Sequence, residues 1–379
     1  MKRRAGQAFA AAAIWALCLT MGCNGFFVYP GSVGGGGTGS STGDYVYVAN
    51  ATTQSLDAFS IGTGTLTKIA SYTLLFVPNA VAVNPANTMV VVAGPGYIDT
   101  FSIGAGGALS QLNGTNNQNV VTTDIAAMDI SPDGQWLVGV DEGTFGGTTL
   151  TMDEYQISSS GQLGSVSTAA ATYVFQGAGT VVPSAVKFAP NQQAVYVAGG
   201  TAGDVVYSFG ISNSVGVLTA THVLPLASGS GNADNALAVS ADSTQVFIAR
   251  TNGSNNGQLL TYSSSLAGPS SSIFTGVQPY AIAWNKGATD LYAVNQLDGS
   301  ISGYSVSSGT LSALANSPYR VTSGTAGLRG LVADNSGDYM LALTSSGSPY
   351  LVMYSFDSTT LGQLDLAATG TETAGAVAI

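Results

Sequence analysis

The feature that most constrains this chain is a short apolar segment that keeps returning. Ala80-Val81-Ala82-Val83 is followed by Ala127-Met128-Asp129-Ile130, Ala185-Val186-Lys187-Phe188, Ala236-Leu237-Ala238-Val239, Ala281-Ile282-Ala283-Trp284, Gly330-Leu331-Val332-Ala333 and Ala376-Val377-Ala378-Ile379. The steps between copies run from 45 to 58 residues. Self-similarity at such a period marks a chain built from stacked supersecondary units. Four apolar residues between turn signals suit a buried strand better than a helix.

The rest of each repeat reads as three more strands. Turn signals follow most copies: Asn84-Pro85, Ser131-Pro132-Asp133-Gly134, Ala189-Pro190-Asn191 and Asn335-Ser336-Gly337. Pro and Asp-Gly fix turn geometry at such points. A second run, rich in β-branched and aromatic residues, comes next at 45–49, 89–93, 136–140, 194–198, 245–249, 290–294 and 339–343. The third carries one aromatic in every copy: Phe59, Phe101, Tyr155, Phe209, Tyr262, Tyr304 and Tyr354. Recurrence at one position reads as packing between neighbouring sheets rather than carbohydrate stacking. A Gly-x-Leu turn then leads to the fourth strand, as at Gly64/Leu66 and Gly309/Leu311; the repeat with Tyr262 has Ser265-Leu266 instead.

Four short strands in each of seven repeats predict an all-β, seven-bladed β-propeller of four-stranded antiparallel blades. The chain enters at Asp44 with a second strand and stops at Ile379 with an inner one. The last strand is therefore expected to pair into the first blade, closing the ring and removing an open edge. A parallel β-helix has a shorter period and leaves that offset unexplained.

Composition excludes several functions. Charged residues are 8% of the chain, against roughly 25% in an average protein. Nine Lys+Arg against twenty Asp+Glu give a net charge of −11, which excludes an electrostatic nucleic-acid binder. The two cysteines, Cys18 and Cys23, exclude a disulfide scaffold and a Cys-rich zinc site. The one histidine, His222, falls in a fourth, outer strand and reads as a surface residue. There is no Gly-x-Ser-x-Gly elbow, phosphate loop or His-Glu-x-x-His, and a serine nucleophile lacks a histidine partner.

The first 43 residues read as an address and a tether. Lys2, Arg3 and Arg4 precede an uncharged stretch from Ala8 to Gly22, which is short for a spanning helix and suits a signal peptide. Leu19-Thr20-Met21-Gly22-Cys23 resembles the lipobox of bacterial lipoproteins, in which the cysteine is lipidated; Thr20 departs from it. Residues 23–43 are rich in Gly, Ser and Thr and read as a flexible coil. The expected organisation is a signal peptide over 1–22, a lipidated Cys23 with tether over 23–43, and the propeller over 44–379. That places a monomer in the cell envelope, in the periplasm or at the outer membrane, touching the membrane only through its lipid.

The run Tyr45-Val46-Tyr47-Val48-Ala49-Asn50, then Leu56-x-x-Phe59-Ser60-Ile61, then Gly64-Thr65-Leu66, resembles the bacterial lactonase-like propellers. These include 6-phosphogluconolactonase-type enzymes and repeats named for a Tyr-Val-Thr-Asn motif. The resemblance covers 44–379 and rests on strand and turn motifs, which specify fold strongly and function weakly. It implies hydrolysis of a lactone or sugar lactone, although the family also holds a muconate-cycloisomerising branch and members of no established activity. Active members use histidine, arginine and glutamate on one face; with His222 in an outer strand, those roles do not carry over. The cations after the tether are only Lys68, Lys187, Arg250, Lys286, Arg320 and Arg329, which argues against a phosphorylated substrate.

A propeller's loops gather around its channel mouth, where a site is expected. Residues directly after the second strands include Asn50, Asp141, Arg250 and Asn295; those directly before the inner strands include Asn79, Asn235, Tyr280 and Arg329. Arg250 and Arg329 are the predicted holders of a carboxylate or a lactone oxyanion. Asp141, beside Glu142, is the predicted general base. Tyr280 would orient a hydroxyl, and Asn50, Asn79, Asn235 and Asn295 would bind ligand. The same asparagines with Asp141 are oxygen donors of the kind Ca²⁺ accepts, as in calcium-dependent gluconolactonases, a different propeller family. The plain alternative pairs the arginines with Asp141, Asp234 or Asp298 at the surface. Two functions stand: a lactonase, or a non-catalytic propeller that binds a glycan, peptide or envelope protein. The sparse charge favours the second.

Overall fold

The computed structural model describes residues 44–112, 119–141, 149–164, 173–174, 183–199, 205–212, 217–225, 232–320, 327–345, 349–372 and 375–379. The expected signal peptide, Cys23 and the tether lie outside them. The described chain is an all-β propeller. The first sheet takes β1 (Asp44–Asn50), β2 (Ser55–Gly62) and β3 (Thr65–Thr73). The second takes β4 (Ala80–Val83), β5 (Met89–Ile103), β6 (Leu109–Gln111), β7 (Asn119–Ile130), β8 (Trp136–Asp141), β9 (Thr149–Gln156) and β10 (Tyr173–Val174). The third is β11 (Pro183–Phe188), β12 (Ala194–Gly199), β13 (Val205–Ser212) and β14 (Val217–Pro225). The fourth is β15 (Ala233–Val239), β16 (Gln245–Thr251), β17 (Asn256–Ser263) and β18 (Pro269–Val277). The fifth is β19 (Pro279–Trp284), β20 (Asp290–Asn295), β21 (Ser300–Ser307), β22 (Thr310–Ala313) and β23 (Tyr319–Arg320). The sixth is β24 (Leu328–Ala333), β25 (Tyr339–Thr344), β26 (Leu351–Phe356) and β27 (Leu364–Thr369). Finally β28 (Ala376–Ala378) pairs antiparallel with β1, Ala378 lying opposite Ala49.

The repeat count predicts seven separate four-stranded blades, and here the structure differs. Five sheets stand alone, and the remaining one is a continuous seven-stranded sheet, β4 to β10. Two strands cause this. β5 is 15 residues long where two strands and a turn are expected. Its ends nevertheless meet, because Ile103 N donates to Thr88 O at 2.8 Å. An extended strand of that length spans roughly 50 Å, so β5 folds back through Gly94-Pro95-Gly96, with Gly96 at φ 75°. Gly94 packs so close to Val77 that a Cβ there would lie 2.1 Å from the Val77 carbonyl oxygen. β7 passes from one partner to another without a break. Its first half pairs with β5 (Val120 opposite Tyr97), and its second with β8 (Ile130 opposite Leu137). The β-branched run Val120–Thr123 has no turn former to end the strand.

The core lies between sheets. Phe59 packs against Leu341, Leu343 and Met353, so the sixth sheet rests on the first. Phe101, Tyr155, Tyr262, Tyr304 and Tyr354 pack in the same way against the sheet or inner strands before them. The expectation that these aromatics are packing residues holds for each of the six; the Phe209 side chain is outside the description. Tyrosines of the second strands add a polar join. Tyr47 donates to Gly107 O at 3.0 Å, Tyr196 to Ser264 O at 2.9 Å, and Tyr292 to Gly362 O at 2.7 Å. Each acceptor lies in the turn before the next sheet's outermost strand. Burial raises the pKa values of Tyr47 and Tyr292, so both remain donors.

The turns after five of the inner strands repeat one construction; the turn after β11 begins with Ala189 and lacks the side-chain acceptor. The residue after the strand accepts, through its side chain, from the N–H five residues on: Asn84 from Met89, Ser131 from Trp136, Ser240 from Gln245, Asn285 from Asp290 and Asp334 from Tyr339. The residue three on takes positive φ, as at Gly134 (72°) and Gly337 (86°). These are the positions the Pro and Asp-Gly signals mark.

Candidate functional site

The other end of the inner strands carries the predicted site, and it begins with a bulge. The register of β11 shifts around Ser184, that of β15 around Asn235, that of β19 around Tyr280 and that of β24 around Arg329. A bulge leaves one residue off the ladder and re-aims its side chain. Here the re-aimed side chains reach the first residues of the next inner strand. Ser184 Oγ donates to Asp234 O, Asn235 Nδ2 donates to Pro279 O at 2.7 Å, and the Tyr280 ring lies 5.7 Å from Arg329 Cζ. At the corresponding position in the first repeat, Asn79 Nδ2 donates to Asp124 Oδ1 at 3.0 Å. Residues predicted as ligand contacts thus join neighbouring inner strands.

The residues after the second strands are engaged too. Asn50 is fully buried. Its Oδ1 accepts from Thr52 N and Thr53 N, and its Nδ2 donates to Glu372 Oε1 at 2.8 Å. Asn295, also fully buried, donates to Ser300 Oγ and Ser302 Oγ and accepts from Gly276 N. The oxygens read as calcium donors at these two positions therefore receive backbone N–H groups. Asp141 lies opposite Ile125 and Thr151 by its backbone; its side chain and Glu142 are outside the described residues. His222 sits on the fourth strand β14, opposite Ser208.

The two arginines separate. Arg250 meets Asp234 in a fork, Nε–Oδ1 2.7 Å and Nη2–Oδ2 3.0 Å, across the β15–β16 register. Asp234 is 0% exposed and the Arg250 side chain 12%, so this is an internal pair rather than a surface one. Arg329 is half-buried, and its Nε is buried with no hydrogen-bond partner among the described residues. The guanidinium rests beside the Tyr280 ring, where cation–π attraction holds it. Such a group is chemically able to donate to a carboxylate or a developing oxyanion.

Several buried charges escaped the sequence reading. Lys187 Nζ stands 3.4 Å from Asp129 Oδ1, and Phe188 N donates to Asp129 Oδ2 at 2.8 Å, tying β11 to β7. Burial raises the Asp129 pKa while Lys187 opposes it. Opposite charges at the third position of consecutive inner strands were the available signal. Asp57, Asp99 and Asp153 are buried two residues before the aromatic of their strands, and Lys68 pairs with Asp57 at 2.9 Å. Glu154 is 1% exposed, and among the described residues neither carboxyl oxygen has a hydrogen-bond partner. Burial pushes its pKa up to about 7. Its register partner on β8 is Val138, so it stands on the same face as a buried apolar residue.

No protein-family model matches this chain, and no curated protein matches it in sequence. Solved structures do match. A putative 6-phosphogluconolactonase from Bacteroides fragilis superimposes with a TM-score of 0.71 at 16% identity, covering 91% of this chain and 99% of that one. A protein from Lactobacillus plantarum gives 0.69 at 18%, covering 89% and 98%. The periplasmic gluconolactonase of Pseudomonas aeruginosa gives 0.67 at 15%, covering 88% and 97%. The chain therefore has the fold of the lactonase-like β-propellers. At these identities the likeness carries the fold and nothing further.

Proposed function

We propose that this chain is an extracytoplasmic lactonase-like propeller that opens a small lactone or sugar lactone at the rim holding Arg329 and Tyr280. The observation that carries the reading is the half-buried Arg329 guanidinium, which rests beside the Tyr280 ring and has no ion pair among the described residues. A guanidinium not neutralised by a carboxylate binds the carbonyl oxygen more tightly as water attacks and charge grows on it. Asp141 is the carboxylate assigned to activate that water. Arg250 is left out of the chemistry, since Asp234 occupies both arms of its fork. The lactonase names of two fold neighbours, one of them periplasmic, support the class and the compartment. Cys23 is assigned as the lipid anchor. The fused sheet is read as two blades, supported by the divided pairing of β7, and β28 as the strand that closes a seven-bladed ring.

A second reading has its own support. Asn79, Asn235 and Arg250 are tied into the framework, so the rim holds fewer convergent polar groups than a hydrolase commonly uses. That favours a non-catalytic propeller binding a glycan, peptide or envelope protein. Proton release by the purified protein across sugar and aliphatic lactones, with calcium and with chelator, separates the two. The lactonase reading expects turnover that falls about 100-fold or more in Arg329→Ala. Loss of turnover with chelator alone would assign the chemistry to calcium. Absence of turnover on every lactone would leave the binding reading.

A further inference from the structure

On the rim opposite Arg329 a cleft of ≈ 250 Å³ opens beside the point where the described chain begins. One part of its wall is apolar, from Val81 and Val83 on β4, Val332 on β24 and Ile379, and the rest is polar, with Asn87 and Asn335. Two carboxylates, Asp44 and Asp334, line the same space. Asp334 is committed to its turn, accepting from Gly337 N and Tyr339 N. Asp44 differs: among the described residues no hydrogen bond or ion pair engages its carboxylate. Lys286, whose charge acts on it, donates instead to the carbonyls of Asn335 and Ser336. Burial and the charge of Asp334 both raise the Asp44 pKa, with Lys286 opposing.

Volume and charge together limit the occupant. Pockets for drug-sized ligands run from about 300 to 1,000 Å³, so this cleft takes a smaller molecule, on the order of six to ten heavy atoms. An apolar strip beside an open carboxylate selects a positive charge on a short apolar stem. A ligand carboxylate would add a third negative charge, and a neutral polar head would leave Asp44 without a counter-ion. We propose that this cleft is a binding site for a small free alkylamine, its ammonium against Asp44 and its stem against Val81, Val83 and Val332.

The site is separate from the Arg329 rim, so its test does not depend on turnover. The full chain is titrated with isopentylammonium, isopentanol and isovalerate, reading binding by calorimetry and by ligand-observed NMR. The expected order is ammonium tightest, the alcohol about fivefold or more weaker, and isovalerate without binding. Asp44→Asn should lower isopentylammonium to the level of the alcohol. Ala86→Trp, at an exposed lining position on the turn after β4, should abolish binding of both. Raising the salt should weaken the ammonium and leave the alcohol unchanged, which tests the charge without any substitution. Equal affinity for the alcohol, unchanged binding in Asp44→Asn, or no binding of isopentylammonium would each overturn the proposal.

Discussion

The two ends of each inner strand are finished in opposite ways. After the strand, most side-chain bonds stay within the turn: Asn84, Ser131, Ser240, Asn285 and Asp334 each bond to the residue five positions on, and only Asn191 and Lys286 of the described turns reach the next one. Before the strand, bulged residues reach out of their own repeat, Ser184 across 50 positions and Asn235 across 44. The first construction shapes one sheet at a time. The second decides how neighbouring sheets sit against each other. Side chains from different repeats meet at the second end, and Arg329 stands out there because its guanidinium rests beside an aromatic ring and its Nε has no hydrogen-bond partner among the described residues.

Substitutions can break or sharpen this contrast, and the largest effect belongs to the reaching end. Asp234→Ala leaves Arg250 buried without its counter-charge and should cost about 3 kcal/mol or more in urea unfolding. A loss under 1 kcal/mol would show that Arg250 finds solvent instead. Glu154 tests the space between the two ends. Its pKa in the fold, about 7, lies above the ordinary 4.5, so the fold favours the protonated form. Its contribution is complete below the ordinary value and is lost as pH rises through about 7. Glu154→Met should therefore unfold at a higher temperature than the parent at pH 8, with little difference at pH 4. The gap is worth up to roughly 3 kcal/mol; a gap independent of pH would place ionisation elsewhere. Asn235→Ala removes one bond within its sheet, to Thr251, and one to the next sheet, at Pro279, for about 1–2 kcal/mol by denaturant titration. Asn285→Ala removes only bonds inside its turn and should cost about 0.5–1 kcal/mol. Reversal of the last two would remove the distinction between the ends.

The same contrast decides what the sequence made legible. Pro132, Asp133 and Gly134 announce a turn because its bonds lie within five residues. The aromatics at Phe59 and Tyr354 announce sheet packing because the pattern repeats at a fixed interval. The bulges at Asn235, Tyr280 and Arg329 carry no local mark, since a register shift appears only once two strands are paired. That is why Arg250 and Arg329 looked alike in sequence. One lies opposite Asp234 across a ladder, and the other sits on a bulge. The fusion of two repeats through β7 was hidden for a related reason. Repeat counting assumes a break between an outer strand and the next inner one, and Asn119–Ile130 supplies none.

The partnership of β1 with β28 also has a meaning in time. Asn50 pairs with Ala376, 326 positions later in the chain. A ribosome adding about 5–20 residues per second needs roughly 15–65 s to cover that interval. Throughout it β1 has its partner β2 on one side and an unclaimed row of backbone donors and acceptors on the other. The first sheet to be made is thus the last to be finished. Its open edge must stay free of other strands until the final three-residue strand arrives.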